Sequence, residues 1–102
     1  MSAYALTPIA KADIFDIWSF IAESSEDSAE RVEKAIYDGC GLLAEGPLRG
    51  HSRPDLTSRQ LRFWTVTRYP NYMIVYGPEA APLQVIAVLH GKRNLGRTLR
   101  RR

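Results

Sequence analysis

The sequence predicts a single α+β domain in which a helical hairpin covers one side of an antiparallel sheet. Two segments with helical spacing of apolar residues come first, followed by three segments rich in β-branched and aromatic residues. The chain has 102 residues, 45% of them hydrophobic and 25% charged, which is the length and composition of one ordinary globular domain. We therefore expect residues 1–102 to form one unit.

A short strand at Tyr4–Thr7 is expected to lead directly into the first helix. Thr7-Pro8 is a typical helix start, because threonine accepts a hydrogen bond from a free amide and proline has no amide proton to satisfy. Apolar residues then recur at helical spacing, at Ala10, Ile14, Ile17 and Ile21. Phe15 and Trp18 widen this stripe, and we assign Trp18 to the core. The helix is expected to end near Ala22.

The second helix is predicted to follow a polar break. Asp27 with Glu30 resembles a capping box, in which each side chain satisfies a free amide of the first turn. The apolar stripe of this helix is formed by Val32, Ile36, Gly39, Cys40 and Leu43. Gly46-Pro47 should end it, with the glycine in a left-handed cap. Two helices joined by so short a break most simply form an antiparallel hairpin, with Ile36 in the core.

Three strands should form the C-terminal meander after a loop at Leu48–Gln60 that shows no sustained period. The predicted strands are Leu61–Thr67, Tyr72–Tyr76 and Leu83–His90. Because side chains alternate along a strand, Leu61 and Phe63 share one face and Arg62 and Trp64 the other. Large apolar groups thus occur on both faces, so we expect the face without helices to be an aromatic and basic surface that suits a partner.

The net charge of +3 conceals two halves of opposite sign. Residues 1–45 carry nine acidic against three basic side chains, and residues 46–102 carry eleven basic against two acidic ones. Six bases and no acid lie in the last twelve residues, so residues 94–102 are expected to form a basic C-terminal tail. Such asymmetry indicates a nucleic acid or an acidic partner for the basic half.

Several classes of protein are excluded by composition. The single cysteine, Cys40, excludes internal disulfides and a multi-cysteine zinc site, and its place on the apolar stripe favours a buried structural thiol. His51 and His90 lack the close spacing of a zinc motif. We therefore expect no metal and no cofactor. The absence of a signal peptide or a long apolar run predicts a cytoplasmic protein without a membrane span.

One cluster in the sequence is suited to chemistry on phosphates. His90 ends the last strand, Lys92 and Arg93 follow at once, and Arg62 faces the same open side in a regular meander. These groups could bind phosphates and supply an acid or base, as a metal-independent ribonuclease requires. A basic patch without catalytic activity uses the same residue types, so both interpretations remain open.

Four segments, in this order, carry a family resemblance. They read LTPIAKADIFDIWSFIAE at 6–23, LAEGPLRGHSRPDL at 43–56, LRFWTVTRYPNYMIVY at 61–76 and VIAVLHGKRN at 85–94. Together they resemble the ParE branch of the ParE/RelE toxin superfamily. The resemblance implies a RelE/ParE-like fold and the toxin of a type II toxin–antitoxin module. It also implies that the chain poisons DNA gyrase, so that cleaved DNA accumulates, without a catalytic residue of its own.

The resemblance further implies a partner. Antitoxins of this family, here a ParD-like protein, bind through an extended, often acidic and apolar segment. The complex is expected to be oligomeric and to bind operator DNA through the antitoxin. Arg62, Trp64, Tyr72, His90 and Arg93 are predicted to bind the antitoxin or the target on the exposed sheet and its edge, and Arg97 at the basic end. Asn94 departs from the pattern, since many relatives carry aspartate there.

Two alternatives accompany this hypothesis. RelE-like relatives cut messenger RNA in the ribosome, and Arg62 and Arg93 match the positions of two of their arginines. In that case Arg62, His90 and Arg93 would act on the phosphate and the 2′-hydroxyl. No tyrosine follows Arg93, however, and no paired lysines precede the first strand of the meander, so the cleavage set is incomplete. The other alternative is a non-toxic relic that only binds the antitoxin or regulates its own operon.

Overall fold

The computed structural model describes residues 3–90 and confirms the α+β fold. Two helices pack on a five-stranded sheet whose strand order is β1-β5-β4-β3-β2. The elements are β1 Tyr4–Leu6, α1 Pro8–Ala22, α2 Glu26–Glu45, β2 His51–Ser52, β3 Arg62–Thr65, β4 Tyr72–Gly77 and β5 Leu83–His90. The predicted tail at 94–102, with Arg93 and Arg97, lies outside the described residues.

The start of α1 is fixed to the last strand of the sheet. Thr7 caps the helix as predicted, its Oγ1 accepting a hydrogen bond from the amide of Ala10 at 3.1 Å. The same hydroxyl donates to the carbonyl of Ile86 at 2.9 Å, and the Thr7 amide donates to Val85 O at 3.0 Å. Since β1 runs parallel to β5, these contacts extend the pairing of the two strands into the first turn of α1.

Helix α2 begins earlier than predicted and ends without a left-handed cap. Ser25, rather than Asp27, is the N-cap, and its Oγ accepts a hydrogen bond from the amide of Ser28 at 3.1 Å. Asp27 therefore lies in the first turn, where its carboxylate interacts favourably with the positive end of the helix dipole. The prediction for Gly46 was also wrong, because its φ is −138°. Its amide still donates to the carbonyl of Leu42, and Pro47 follows the helix.

The sheet contains one strand that the sequence pattern did not predict. Within the expected loop, the two-residue strand β2 pairs antiparallel with β3, His51 opposite Phe63 and Ser52 opposite Arg62. Strand β3 spans Arg62–Thr65 and is therefore shorter than the predicted Leu61–Thr67. Between β4 and β5 the register shifts, since Val75 pairs with Ala87 whereas Tyr76 pairs with Val85. This irregularity leaves an extra residue in β5 and keeps apolar side chains on both faces.

Both faces of the sheet carry buried apolar side chains. The helix-facing cluster includes Ala10, Ile14, Val32, Ile36, Cys40, Leu43, Val66, Ile74, Tyr76, Leu83, Val85 and Val88. The opposite face carries a second cluster of Leu61, Phe63, Val75, Ala87 and Leu89. Trp64 packs against the first cluster, so it faces the helices and not an open surface. The predicted exposed aromatic face is therefore wrong.

The two core assignments made for the helices have different outcomes. Ile36 is fully buried, as predicted. Trp18 is only half-buried and belongs to neither cluster, so its assignment to the core is wrong. The buried stripe of α1 is narrower than the run of apolar residues suggests, because Phe15 is 67% exposed and Phe20 is 73% exposed. Neither helix of residues 3–90 is long and apolar enough to span a bilayer.

The buried thiol of Cys40 gives a testable property of the core. Burial raises its pKa from about 9 to about 12, and the side chain has no exposed surface. We expect Cys40 to react with a thiol reagent such as DTNB only after unfolding, because the thiolate is the reactive form. In the unfolded chain the thiol ionises at a lower pH than in the folded protein. The contribution of the buried, neutral Cys40 thiol to the stability of the fold should therefore be lost as the pH rises from about 9 towards 12.

Denaturation of wild type and of Cys40→Ala at several pH values checks this expectation. The stability difference between the two proteins, measured from pH 7 to pH 11, should narrow in the alkaline range. Rapid DTNB reaction with the folded wild type, or a difference that stays constant with pH, would contradict it.

Candidate interaction surface

Arg62 is held at the end of the sheet near the α2–β2 loop. Its Nη1 donates to the carbonyl oxygen of Gly50 at 2.6 Å, and the side chain is half-buried. On the facing position of β4, the hydroxyl of Tyr76 accepts from the Gly50 amide at 2.9 Å and donates to Pro47 O at 2.7 Å. The guanidinium is therefore part of the packing that fixes this loop.

Tyr72 and His90 form a second, separate group. They are register partners on β4 and β5, and their rings meet edge to face with centroids 5.4 Å apart and planes at 87°. They line a cavity of about 340 Å³ next to α1, together with Asp13, Asp16, Ile17, Phe20, Val88 and Leu89. Asp13 is anchored there, since its Oδ2 accepts the Val88 amide at 3.0 Å. Carboxylates and aromatic rings thus share this cavity.

The structure does not bring Arg62 and His90 together. Arg62 lies opposite Tyr76, whereas His90 lies opposite Tyr72, so they mark opposite ends of β4. Four residues of strand separate those positions, which is roughly 13 Å along the sheet at about 3.3 Å per residue. Both residues lie on the side of the sheet that the helices cover, because their register partners Tyr76 and Tyr72 both pack in the helix-facing cluster. The expectation that they would share an open side of the sheet is therefore wrong. In residues 3–90, no group of three or more His, Cys, Asp or Glu side chains could hold a metal ion either.

Trp64 lies at the floor of a third feature, a cavity of about 400 Å³ between α2 and the β3–β4 turn. We call it the α2 groove. It is lined by Arg31, Lys34, Ala35, Asp38, Gly39 and Leu42 from α2, by Trp64 from β3, and by Val66, Thr67, Arg68 and Tyr69 from the β3–β4 turn. Helix and ring approach closely here, because a β-carbon built at Gly39 would lie 2.8 Å from Cζ3 of Trp64. The floor is apolar and the rim is charged.

The R-P-D-L motif at residues 53–56 has a structural role in the loop before β3. Arg53 and Asp55 form a bidentate ion pair, with Nε to Oδ1 at 3.0 Å and Nη2 to Oδ2 at 2.8 Å. The hydrogen bonds from Arg53 hold the pKa of the Asp55 carboxyl below its ordinary value. Leu56 then packs against the second apolar cluster. The motif therefore anchors the loop on the face of the sheet away from the helices.

Comparison with known proteins assigns the family. The sequence model of a protein family, described as the ParE toxin of the type II toxin–antitoxin system parDE, matches residues 4–95 of this chain. This chain belongs to the ParE toxin family. A chain from the chromosomal ParDE toxin–antitoxin system of P. aeruginosa shares its fold, with a TM-score of 0.71 and 18% identity over 88% of this chain and 96% of that one. No curated protein sequence matches it.

For a ParE-family toxin, the predicted site residues thus divide among three places. Arg62 lies beside the α2–β2 loop, Trp64 in the α2 groove, and Tyr72 with His90 in the cavity next to α1. Arg93 and Arg97 are outside the described residues. Their roles in binding stay predictions.

Sequence reasoning missed the residues that give the α2 groove its shape and charge. Arg31, Lys34, Asp38 and Leu42 recur at intervals of three and four, the spacing of one helix face. Most residues of this face are polar, so the spacing of apolar residues along α2 does not single it out. Gly39 is the signal that could have found it, since a glycine inside a helix indicates close approach of another group. The position of Arg68 follows only from the β3–β4 turn.

Proposed function

We propose that this ParE-family chain inhibits DNA gyrase in the cytoplasm and is neutralised by a ParD-like antitoxin produced with it. The observation that carries the proposal is the match to the ParE family model over residues 4–95. The fold shared with the P. aeruginosa ParDE chain is consistent with it. A toxin that acts by binding needs a shaped surface but no catalytic residues of its own.

The geometry of the sheet favours binding over RNA cleavage. General acid–base chemistry requires the proton-transferring and phosphate-binding groups to converge on one substrate atom. Arg62 instead donates to Gly50 O, and His90 packs against Tyr72 at the other end of β4. Two of the three groups expected for an endonuclease are thus apart, and the third, Arg93, lies outside the described residues.

The proposal includes an assembly. We expect the toxin–antitoxin complex to be oligomeric and to bind operator DNA through the antitoxin. The described residues that would contribute to recognition are Trp64 in the α2 groove and Tyr72 with His90 in the other cavity. Arg93 and Arg97 are expected to add positive charge for an acidic partner.

Two assays in parallel test the proposal. The purified chain is added to gyrase with relaxed plasmid and ATP, and separately to a translation extract containing a defined messenger RNA. We expect inhibited supercoiling and accumulation of cleaved, gyrase-bound plasmid, with intact message. Addition of the antitoxin encoded beside this chain should restore supercoiling in the first assay.

The other outcomes separate the alternatives. Fragmented message with unaffected gyrase would contradict the proposal and support a ribosome-dependent endonuclease. An effect in neither assay, together with tight antitoxin binding, would indicate a non-toxic module that only binds its partner.

A further inference from the structure

We infer that the cavity next to α1 holds the basic segment that follows β5 in the same chain, with the guanidinium of Arg93 beside the carboxylates of Asp13 and Asp16. The inference goes beyond the proposed function, because the contact is internal to the toxin and needs no partner. The segment, residues 91–102, lies outside the described residues. The argument for it comes from the charge and the rings of the cavity walls and from the place where β5 ends.

One wall of the cavity is an acidic face of α1. Asp13 and Asp16 are three residues apart, so both lie on one side of the helix. Asp13 is oriented by the Val88 amide, which donates to its Oδ2 at 3.0 Å. Asp16 is exposed and forms no ion pair with any other residue in 3–90. This wall therefore presents a cation with at least one carboxylate that has no basic partner among the described residues.

The helical half of the chain does not supply a cation to this wall. Residues 1–45 contain only three bases, Lys11, Arg31 and Lys34. Arg31 and Lys34 form ion pairs within α2, at 2.7 Å and 2.8 Å. No lysine or arginine of residues 3–90 lines the cavity. A side-chain cation for the acidic wall therefore has to come from the rest of the chain or from another molecule.

The other walls of the cavity favour an arginine as this cation. The rings of Phe20, Tyr72 and His90 line them, and the last two meet edge to face. A planar guanidinium stacks on aromatic rings and can form two parallel hydrogen bonds with a carboxylate, whereas an ammonium group acts as a compact, strongly hydrated charge. The volume of about 340 Å³ lies in the range of roughly 300–1,000 Å³ that is usual for binding pockets. Arg93 therefore fits the cavity better than Lys92.

The end of β5 brings the basic segment to this cavity. The strand ends at His90, which lines the cavity, and Arg93 is the third residue after it. Each residue adds at most about 3.6 Å to an extended chain, so the Cα atoms of His90 and Arg93 can be no more than roughly 11 Å apart. So short a connection gives Arg93 a high effective concentration at the cavity, which a separate molecule would have to match. The contact would unite Arg93 with Tyr72 and His90 in one surface.

Trypsin digestion of the full-length toxin tests whether Arg93 is held in the cavity. Trypsin must bind the arginine side chain, so cleavage after Arg93 follows the population in which the segment has left α1. Asp16→Asn removes the carboxylate charge at nearly constant shape. Glu23→Gln makes the same change at the exposed C-cap of α1, outside the cavity. Mass spectrometry measures the initial rates, with cleavage after Arg97 as the internal reference, and circular dichroism verifies that each variant is folded.

Relative to cleavage after Arg97, we expect cleavage after Arg93 to be at least about threefold faster in Asp16→Asn than in the wild type, and to change less than about 1.5-fold in Glu23→Gln. Equal ratios in the three proteins would overturn the inference. Protection of Arg93 that increases with toxin concentration would assign the cavity to the basic segment of a second copy, and would overturn it as well. Neither gyrase nor an antitoxin takes part, so the result is independent of the proposed function.

A charge exchange gives a second test of the same contact. Asp16→Arg and Arg93→Asp each place like charges together, so each single variant should unfold at a lower urea concentration than the wild type. The combination of both changes restores an ion pair of reversed polarity, and we expect it to be more stable than the sum of the single effects. The matched combination of Glu23→Arg with Arg93→Asp should show no such recovery. Strictly additive effects of the changes at Asp16 and Arg93 would overturn the inference.

Discussion

Replacement of Tyr76 by phenylalanine is expected to lower the free energy of unfolding by about 2–4 kcal/mol. The ring is fully buried, and its hydroxyl accepts from the Gly50 amide and donates to the Pro47 carbonyl. Phenylalanine preserves the packing of the ring but leaves both backbone groups without this partner. Each buried polar group that loses its partner costs about 1–3 kcal/mol. The Gly50 amide is buried but the Pro47 carbonyl only partly so, which places the expected sum in the lower part of the doubled range.

Urea denaturation followed by circular dichroism measures this effect, with Tyr37→Phe as the control. Tyr37 is 37% exposed, and its hydroxyl makes no hydrogen bond with residues 3–90. Its replacement should change stability by less than about 0.5 kcal/mol. Equal stability of the two variants would show that water replaces the tyrosine hydroxyl in the α2–β2 loop. The Tyr76→Phe protein should also lose order at Arg62, because both side chains bind Gly50.

The elements that were predictable are those with a sustained period or a clear cap. Thr7-Pro8 and the three-four spacing of apolar residues define α1, and the bounds of β5 agree with the prediction. A two-residue strand such as β2 contains no period, so its presence depends on pairing with β3. The cap of α2 was misplaced because Ser25 and Asp27 are both good N-caps, and local sequence does not decide between them.

Which face of a strand meets the helices was not predictable from alternation. The period of two shows that Arg62 and Trp64 share a face, and that Phe63 takes the other. Both faces carry an aromatic residue, so the pattern assigns neither to the helices. In the structure, Gly39 has no side chain, so the Trp64 ring packs directly under α2. The face that carries Trp64 is therefore the one that meets the helices. Arg62 consequently lies on the helix side, where Gly50 supplies a carbonyl for its guanidinium.

The same limit applies to the separation of the candidate site residues. Whether Arg62 and His90 converge depends on the register of β3 against β4 and of β4 against β5. That register places them at Tyr76 and Tyr72 respectively. The short turns between the strands constrain this register only loosely. No sequence pattern predicts the register shift between Val75 and Tyr76. The family resemblance supplied the function class, but it could not supply these distances.

Replacement of Gly39 by alanine is expected to lower the free energy of unfolding by about 1–2 kcal/mol. The new methyl group would lie 2.8 Å from Cζ3 of Trp64 and 3.1 Å from Cδ1 of Ile74, closer than ordinary contact. Overpacking of this kind costs about 1–3 kcal/mol, and the better helix propensity of alanine offsets up to about 1 kcal/mol of it.

Gly41→Ala is the matched control for this prediction, because a β-carbon there meets nothing within 4 Å. It should raise stability by about 0.5–1 kcal/mol, so the two alanine variants are expected to move in opposite directions. Because Trp64 forms the floor of the α2 groove, its displacement in Gly39→Ala should also weaken antitoxin binding, whereas Gly41→Ala should not. Two variants with equal stability and equal affinity would show that the Trp64 ring adjusts without cost, and that the close approach of α2 contributes nothing to the groove.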